Sequence, residues 1–222
     1  RAGIAALAER LAGLRIGIVG LGGTGSYILD LIAKTHVREI HLFDGDVFGQ
    51  HNAFRAPGAA AIEELGARKV EHWTAVYSKI HRGVIPHPGF LDETNLGGLG
   101  GMDFVFLSMD PGQAKRAVVE QIRMQGTPFI DVGMGVAEED GKLAGILRVT
   151  ISTPERPADV AVGAGGLDDY SQNVQIAELN ALNAALAVIR WKKHFGNYRD
   201  LGHDREFNYQ TDTNNLINDD EA

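Results

Sequence analysis

Four glycines near the start of the chain form a pattern that proteins use to hold phosphate groups. The stretch Gly20-Leu-Gly-Gly-Thr-Gly25 places glycine at positions 20, 22, 23 and 25, and a hydroxyl at Thr24. Glycine lets the backbone turn tightly and approach a ligand closely. A helix that begins in such a loop directs unpaired N–H groups and a partial positive charge at the ligand. The pattern therefore predicts a phosphate-binding loop built on Gly20, Gly22, Gly23, Thr24 and Gly25.

A carboxylate follows at the end of the next predicted strand. Asp44 comes directly after the run Arg-Glu-Ile-His-Leu-Phe, and Asp46 lies two positions further on. In nucleotide-binding α/β folds, a carboxylate at this place accepts hydrogen bonds from ribose hydroxyls. The glycines and Asp44 do not distinguish NAD, FAD and ATP. A glycine turn that only packs a helix on a strand, without a ligand, also stays open.

Four further residues favour ATP over NAD. Asn52 and Arg55 stand as Asn-x-x-Arg after the second strand, Lys69 opens the following helix, and Asp110 ends a later strand. Arginine and lysine would place positive charge against a polyphosphate. Asp110 would supply a hard oxygen ligand for Mg²⁺. A simple dehydrogenase needs neither feature.

Each of these residues also has an ordinary structural explanation. Arg55 and Lys69 could be surface charges. Asn52 could be a turn residue, and Asp110 could cap the next helix. An oxidoreductase that binds NAD or FAD is therefore the alternative function. Only the ordered set in one chain favours the ATP interpretation.

The elements that must position these residues are visible as hydrophobic runs and helical spacing. Strands are predicted at 15–19, 38–43, 84–85 (weakly), 103–108, 128–132, 142–151 and 207–210. Helices are predicted at 3–13, 26–34, 67–79, 113–124 and 174–191. Strands alternate with helices at first, which is typical of a parallel sheet. No helix separates 142–151 from the strand before it, so that pair is predicted to be antiparallel.

The predicted fold class is α/β, a Rossmann-like three-layer fold with a mixed sheet that is parallel in its N-terminal half and antiparallel in its C-terminal strands. One domain is expected over residues 1–222, with a crossover segment at about 153–169 and a polar tail at about 214–222. The helix at 174–191 carries Asn180 and Asn183 in an apolar pattern. A core helix with two polar residues on its flank and a self-association helix are equally compatible with that pattern.

Composition excludes several classes of partner and chemistry. The net charge is −8, no run of Lys or Arg stands out, and no apolar run reaches the length of a membrane span. We therefore expect no nucleic acid and no membrane as partners. There is no cysteine, which rules out disulfides, thiolate zinc ligands and a thiol nucleophile in this sequence. The absence fits a reducing compartment, and we expect a cytoplasmic protein.

Taken together, these motifs resemble those of the ThiF/MoeB-type adenylyltransferases of the ubiquitin-activating enzyme superfamily. The resemblance is carried by Gly-Leu-Gly-Gly-Thr-Gly-Ser, Asp44-Gly-Asp46, Asn52-x-x-Arg55, Lys69 and Ser108-Met-Asp110. It covers about residues 4–150 and continues more loosely through 174–191. A single ThiF-type nucleotide-binding and adenylation domain is thus implied.

The resemblance implies an activity and a role for each residue. Members bind ATP and Mg²⁺ and activate the C-terminal carboxylate of a small ubiquitin-like or sulfur-carrier protein. Asp44, with Asp46 beside it, would bind the ribose side of ATP, and Asp110 would hold magnesium. The phosphates would be bound by Asn52, Arg55 and Lys69. Arg55, Lys69 and Asp110 are thereby the implied catalytic residues.

Three departures from the family set the limits of this expectation. Many members carry a thioester cysteine and paired zinc cysteines, and this sequence has neither. Members commonly borrow an arginine from a partner subunit, at a position that would precede Arg1, so we expect the chain to be a trimmed piece. Relatives use helices of the C-terminal part to form a dimer, which implies a homodimer. A catalytically inactive ThiF-like partner subunit is the further alternative.

Overall fold

The computed structural model describes residues 7–163 and 175–219. Its strands are β1 Arg15–Val19, β2 Glu39–Asp44, β3 Val84–Pro88, β4 Phe104–Leu107, β5 Phe129–Glu139, β6 Lys142–Ser152, β7 Glu206–Gln210 and β8 Asn215–Asp219. Its helices are α1 Gly23–Ile32, α2 Gln50–Ala53, α3 Lys69–Tyr77, α4 Gln113–Met124 and α5 Ala177–His194. Residues 7–9 are also helical, and short 3₁₀ turns lie at Ile62–Glu64 and Leu96–Leu99.

The strands of the described residues form one eight-stranded sheet in the order β3-β2-β1-β4-β5-β6-β7-β8. The first five strands in this order run parallel, and β6, β7 and β8 are each antiparallel to the strand before them. The predicted mixed sheet, including the antiparallel pairing of β5 and β6, is confirmed. The central strand β1 reads Arg-Ile-Gly-Ile-Val and is buried from its second residue, as a parallel strand covered on both faces should be.

Two hydrophobic cores on opposite faces of the sheet make the fold three-layered. On one face, Ile18 of β1 belongs to the same core as Ile28 of α1 and Trp191 of α5. On the other face, Val105 of β4 belongs to the same core as Val118 of α4. The Rossmann-like three-layer prediction is thereby confirmed. No helix within 7–163 and 175–219 is long and apolar enough to cross a membrane.

The sequence prediction missed the last strand. Residues 215–219 lie inside the predicted polar tail, yet they form β8, which pairs along β7. Asn214, with φ 53°, makes the turn before it. The strand is held by backbone hydrogen bonds at the sheet edge. Its two apolar residues, Leu216 and Ile217, are exposed and adjacent in sequence, so the segment lacks the alternating pattern of a half-buried strand. Of the predicted crossover segment, 153–163 has neither helix nor strand, and 164–169 lies outside the described residues. Residues 3–6 of the first predicted helix and residue 174 of the last one also lie outside the described residues.

Candidate functional site

The carboxyl ends of three parallel strands bring the predicted motifs to one edge of the sheet. β1 lies between β2 and β4. The N–H of Gly20 donates to the carbonyl of Phe43 at 2.9 Å, and the N–H of Ser108 donates to the carbonyl of Val19 at 2.8 Å. Asp44 follows Phe43 directly. The glycine loop, Asp44 and the segment after β4 therefore leave the sheet side by side, where ligands of open α/β sheets bind.

Close backbone packing requires glycine at two positions of the loop. Gly20 has a φ of +87°, and a Cβ placed on it would lie 2.2 Å from the carbonyl oxygen of Ser108. A Cβ on Gly25 would lie 1.9 Å from the carbonyl oxygen of Gly20. Both contacts are impossible for a side chain, so these two glycines let the loop, the end of β4 and the start of α1 approach one another.

Gly22 has a different environment from the other glycines of the loop. It immediately precedes α1, and a Cβ on it would meet no other atom of the described residues within 4 Å. Packing within the described residues therefore does not require glycine at this position. A bare backbone at the N-terminus of a ten-residue helix suits the close approach of an anionic group.

Asn180 of α5 holds the start of α1 and was not among the predicted site residues. It is fully buried. The hydroxyl of Thr24 donates to Asn180 Oδ1 at 2.8 Å. A Cβ on Gly23 would lie 2.1 Å from Asn180 Nδ2, an atom with no hydrogen-bond partner among the described residues. A polar residue in an apolar helix pattern was visible in the sequence, but its contact with the loop was not.

This contact predicts an unusual effect of a glycine substitution. Gly23→Ala in a helix would ordinarily stabilise by about 0.5–1 kcal/mol. Here the new Cβ meets Asn180, so we expect the free energy of unfolding to fall by about 1–3 kcal/mol instead. In an Asn180→Ala background, which removes the clashing amide, the same substitution should stabilise by the ordinary amount of about 0.5–1 kcal/mol. Urea unfolding of the two single variants and the double variant measures the coupling energy between the two positions. Additive changes in the free energy of unfolding would contradict a direct contact between Asn180 and position 23.

The carboxylate of Asp44 fixes the loop from the side of β2. Its Oδ2 accepts the N–H of Leu21 at 2.6 Å, and its Oδ1 accepts the N–H of Asp46 at 2.8 Å. Its side chain is only 7% exposed. A carboxylate offers about four lone-pair sites, so these two bonds leave room for further donors such as ribose hydroxyls.

Lys69 lies beneath this edge as a buried positive charge. Its Nζ is 2.7 Å from Oδ2 of Asp46 and 3.7 Å from Oδ2 of Asp44. Lys69 is buried, whereas the side chain of Asp46 is 54% exposed. The structure thus brings together three of the predicted site residues, Asp44, Asp46 and Lys69. The nearer ion-pair partner of Lys69 is Asp46, whose side chain is exposed.

Asn52 and Arg55 present buried donors without partners. Asn52 Oδ1 accepts the N–H of Gly49 at 2.9 Å, but Asn52 Nδ2 and Arg55 Nε are buried and unpaired within the described part of the chain. Burial lowers the pKa of the Arg55 guanidinium, and the charge of Asp110 opposes that shift. Arg55 and Asp110 therefore lie close enough to interact. Two buried donors without an acceptor, one of them cationic, are suited to donate hydrogen bonds to an anionic oxygen of a ligand.

Asp110 is exposed at the same edge of the sheet. Across residues 7–163 and 175–219, no three His, Cys, Asp or Glu side chains converge as a metal site would require. Mg²⁺ is commonly held by one or two carboxylates together with substrate phosphates. A lone exposed carboxylate two residues after Ser108, whose carbonyl packs against Gly20 of the glycine loop, is compatible with that mode.

A buried charge cluster formed by residues of α4, β5 and β6 was not predicted from the sequence. Lys115 Nζ of α4 is 2.6 Å from Asp131 Oδ1, and Arg148 Nη2 of β6 is 3.1 Å from Asp131 Oδ2. The side chains of Lys115 and Asp131 are 2% and 0% exposed. Burial raises the pKa of Asp131, and the charges of Lys115 and Arg148 oppose the rise. Nothing in the spacing of the sequence marks Lys115 as buried.

Comparisons with known proteins agree with this architecture. The model of the ThiF family matches residues 3–151. A solved structure of PaaA is 18% identical with a TM-score of 0.74, and E. coli MccB solved with MccA is 18% identical with a TM-score of 0.76. E. coli MccB solved with ATP gives the same identity and a TM-score of 0.76. Each comparison covers 97% of this chain but only 66% of the other. No curated protein matches the chain.

Proposed function

We propose that this chain, which belongs to the ThiF family, is an adenylyltransferase that uses ATP and Mg²⁺ to activate a carboxylate of a peptide or protein. The observation that carries the proposal is the pair of buried, unpaired donors on Asn52 and Arg55. We group them with the open backbone of Gly22, because Asn52 and Arg55 follow β2 and Gly22 follows β1, and these neighbouring parallel strands end at the same edge of the sheet. Structures of E. coli MccB with ATP and with MccA support the same class of ligands.

The reaction we propose is attack of a substrate carboxylate oxygen on the α-phosphorus of ATP. The new bond joins the carboxylate oxygen to phosphorus, and the bond from phosphorus to the bridging oxygen of the pyrophosphate group breaks. The products are an acyl-adenylate and pyrophosphate. We further propose that the substrate is the C-terminus of a small ubiquitin-like or sulfur-carrier protein, as the resemblance to ThiF/MoeB-type adenylyltransferases implies.

The chain's own residues would divide the work as follows. The backbone at Gly22 and the start of α1 hold the phosphates, and Asp44 receives the ribose. Arg55 and Lys69 offset the negative charge that builds up during attack and departure, the largest single contribution in such reactions. Asp110 would hold Mg²⁺ together with phosphate oxygens, and the metal would supply charge neutralisation. A cytoplasmic location and a homodimer remain expectations from the sequence.

The test is isotope exchange between pyrophosphate and ATP, in the presence of Mg²⁺ and a candidate substrate protein. Exchange that requires the substrate's free C-terminal carboxylate would support adenylation. A thermal shift assay with ATP and Mg²⁺ against NAD or FAD separates the nucleotides. Stabilisation by NAD or FAD alone would overturn the proposal in favour of an oxidoreductase. Binding of ATP without exchange for any candidate would favour an inactive partner subunit.

Asp110→Asn tests the proposed metal ligand. We expect the exchange rate to fall about 100-fold or more, because the amide loses the charge that Mg²⁺ requires. The loss should shrink as the Mg²⁺ concentration is raised. Asp159→Asn, which also removes one exposed carboxylate, is the matched control and should leave exchange unchanged. Equal rates for Asp110→Asn and the unmodified chain would remove this residue from the site.

A further inference from the structure

An open cleft of about 310 Å³ lies at the opposite edge of the sheet from the glycine loop. It is bounded by the end of β6, the last turns of α5 and the segment after α5. Ile151, which lines the cleft, pairs with Ile130 near the start of β5. Since the glycine loop follows the end of the parallel strand β1, the cleft is separate from the candidate nucleotide site.

The cleft is positively charged in a protein whose net charge is −8. Four of its lining residues are cationic, namely Arg156, Arg190, Lys193 and Arg205, against the two acids Glu155 and Asp200. Two histidines line it as well. A local excess of positive charge on an acidic protein attracts anions specifically to this place.

The cations are fixed by bonds around the cleft. Arg190 is 8% exposed, and its Nη1 lies 2.6 Å from Oδ2 of Asp200. Lys193 Nζ lies 3.4 Å from Oδ1 of the same acid. Arg156 Nη1 donates to the carbonyl of His203 at 2.7 Å. The guanidinium groups of Arg190 and Arg156 are therefore each bonded to the segment after α5.

Two residues of the cleft each carry a buried side-chain atom without a hydrogen-bond partner among residues 7–163 and 175–219: Nε of Arg190, which is a donor, and Oδ1 of Asp200, which is an acceptor. Asp200 is the ion-pair partner of both Arg190 and Lys193, so one negative charge offsets two positive charges. Burial, and then the charge of Arg190, lowers the pKa of His194, while Glu155 opposes the shift. The ring of His194 therefore lies within range of the charges of both Arg190 and Glu155.

We infer that this cleft binds a small phosphate-type oxyanion. Guanidinium groups match the geometry of phosphate oxygens, and an anion in the cleft would offset the surplus positive charge of its lining. The volume fits a small ligand rather than a polymer chain. The source is either a free anion, such as orthophosphate or pyrophosphate, or the phosphate group of a nucleotide. This inference does not depend on the proposed adenylation activity.

Calorimetric titration with orthophosphate, pyrophosphate and AMP, at constant ionic strength set with chloride, tests the inference. We expect saturable binding of at least one probe, weakened about tenfold by Lys193→Gln and by Arg156→Gln. Lys192→Gln removes the same charge from the same turn of α5 outside the cleft, and should leave binding unchanged. Preference for a free anion or for AMP identifies the source.

The outcomes that overturn the inference are equally specific. Absence of saturable binding for all three probes would do so, as would equal weakening by Lys192→Gln and Lys193→Gln. Weakening by Arg55→Met but not by Lys193→Gln would assign the binding to the nucleotide site instead. Ring resonances of His194 and His203 in NMR spectra give a local readout, and they should shift on addition of the anion that binds. Binding that leaves both unmoved would place the anion elsewhere.

Discussion

Replacing Arg55 with methionine is expected to lower pyrophosphate exchange about 100- to 1,000-fold while leaving the fold intact. The size of the loss follows from removing one charged donor that we propose acts on the transition state. The fold should tolerate the change because Nε of Arg55 is buried without a partner among the described residues, and burial already lowers the pKa of this side chain. A cation in such a place does little for stability, so we expect the free energy of unfolding to change by less than about 1 kcal/mol.

Two measurements on the same variant make this expectation decisive. Exchange assays give the loss of activity, and urea unfolding gives the stability. Arg82→Met serves as the matched control, because Arg82 is exposed and lies before β3, away from the carboxyl edge. An Arg55→Met variant with nearly normal exchange would remove Arg55 from the catalytic residues. A variant that loses exchange and stability together would indicate a structural role instead.

The largest effect on stability is expected from Lys115→Met. The substitution leaves Asp131 in a fully buried position with Arg148 as its remaining ion-pair partner. Breaking a buried pair by removing one partner costs about 3–5 kcal/mol, because the other charge stays in the core. We expect a loss near about 3 kcal/mol, since Arg148 still offsets part of the charge. The midpoint of urea unfolding measures it.

The pH dependence of the stability of Lys115→Met tests whether the buried charge of Asp131 causes the loss. Without Lys115, less positive charge opposes the effect of burial, so the pKa of Asp131 should rise further. A carboxyl whose pKa is higher in the folded state binds more protons there, and stability then increases as the pH falls through that pKa. The deficit of Lys115→Met should therefore be smaller at about pH 5 than at about pH 8.

A second substitution separates charge from packing. Lys115→Met combined with Asp131→Asn removes the orphaned charge and should recover most of the lost stability. Lys34→Met breaks an exposed ion pair with Asp30 and should cost less than about 1 kcal/mol. If the double variant were as unstable as Lys115→Met alone, the loss would come from packing at position 115 rather than from the buried charge.

The parts of the fold that the sequence predicted are those with a local signal. The buried run at 15–19 and the glycines after it predicted β1 and its turn, and the bounds of β1 agree with that prediction. The antiparallel pairing of β5 with β6 followed from the missing helix between them. The glycine loop, Asp44 and the segment after β4 could be brought together because the carboxyl ends of neighbouring parallel strands meet at one edge. Their roles in binding ATP remain predictions.

The parts that escaped prediction depend on contacts between distant segments. Asn180 is one polar residue in an apolar helix until its contact with Thr24 is known. Lys115 resembles any surface lysine of a helix that begins after a turn. Strand β8 has only two apolar residues, both exposed, and its pairing with β7 is what makes it a strand. In each case the deciding partner lies on another element, which residue spacing along one segment does not reveal.

The hydrogen bond between Thr24 and Asn180 joins residues 156 positions apart, which bears on the order in which the site is completed during synthesis. On the ribosome, the glycines, the acids of β2 and the arginine after α2 all emerge long before α5. Until α5 arrives, the start of α1 has its full motif but lacks the amide that holds it. The family match also ends at residue 151, so a polypeptide cut there would keep every recognised motif and lose the residue that locks the loop.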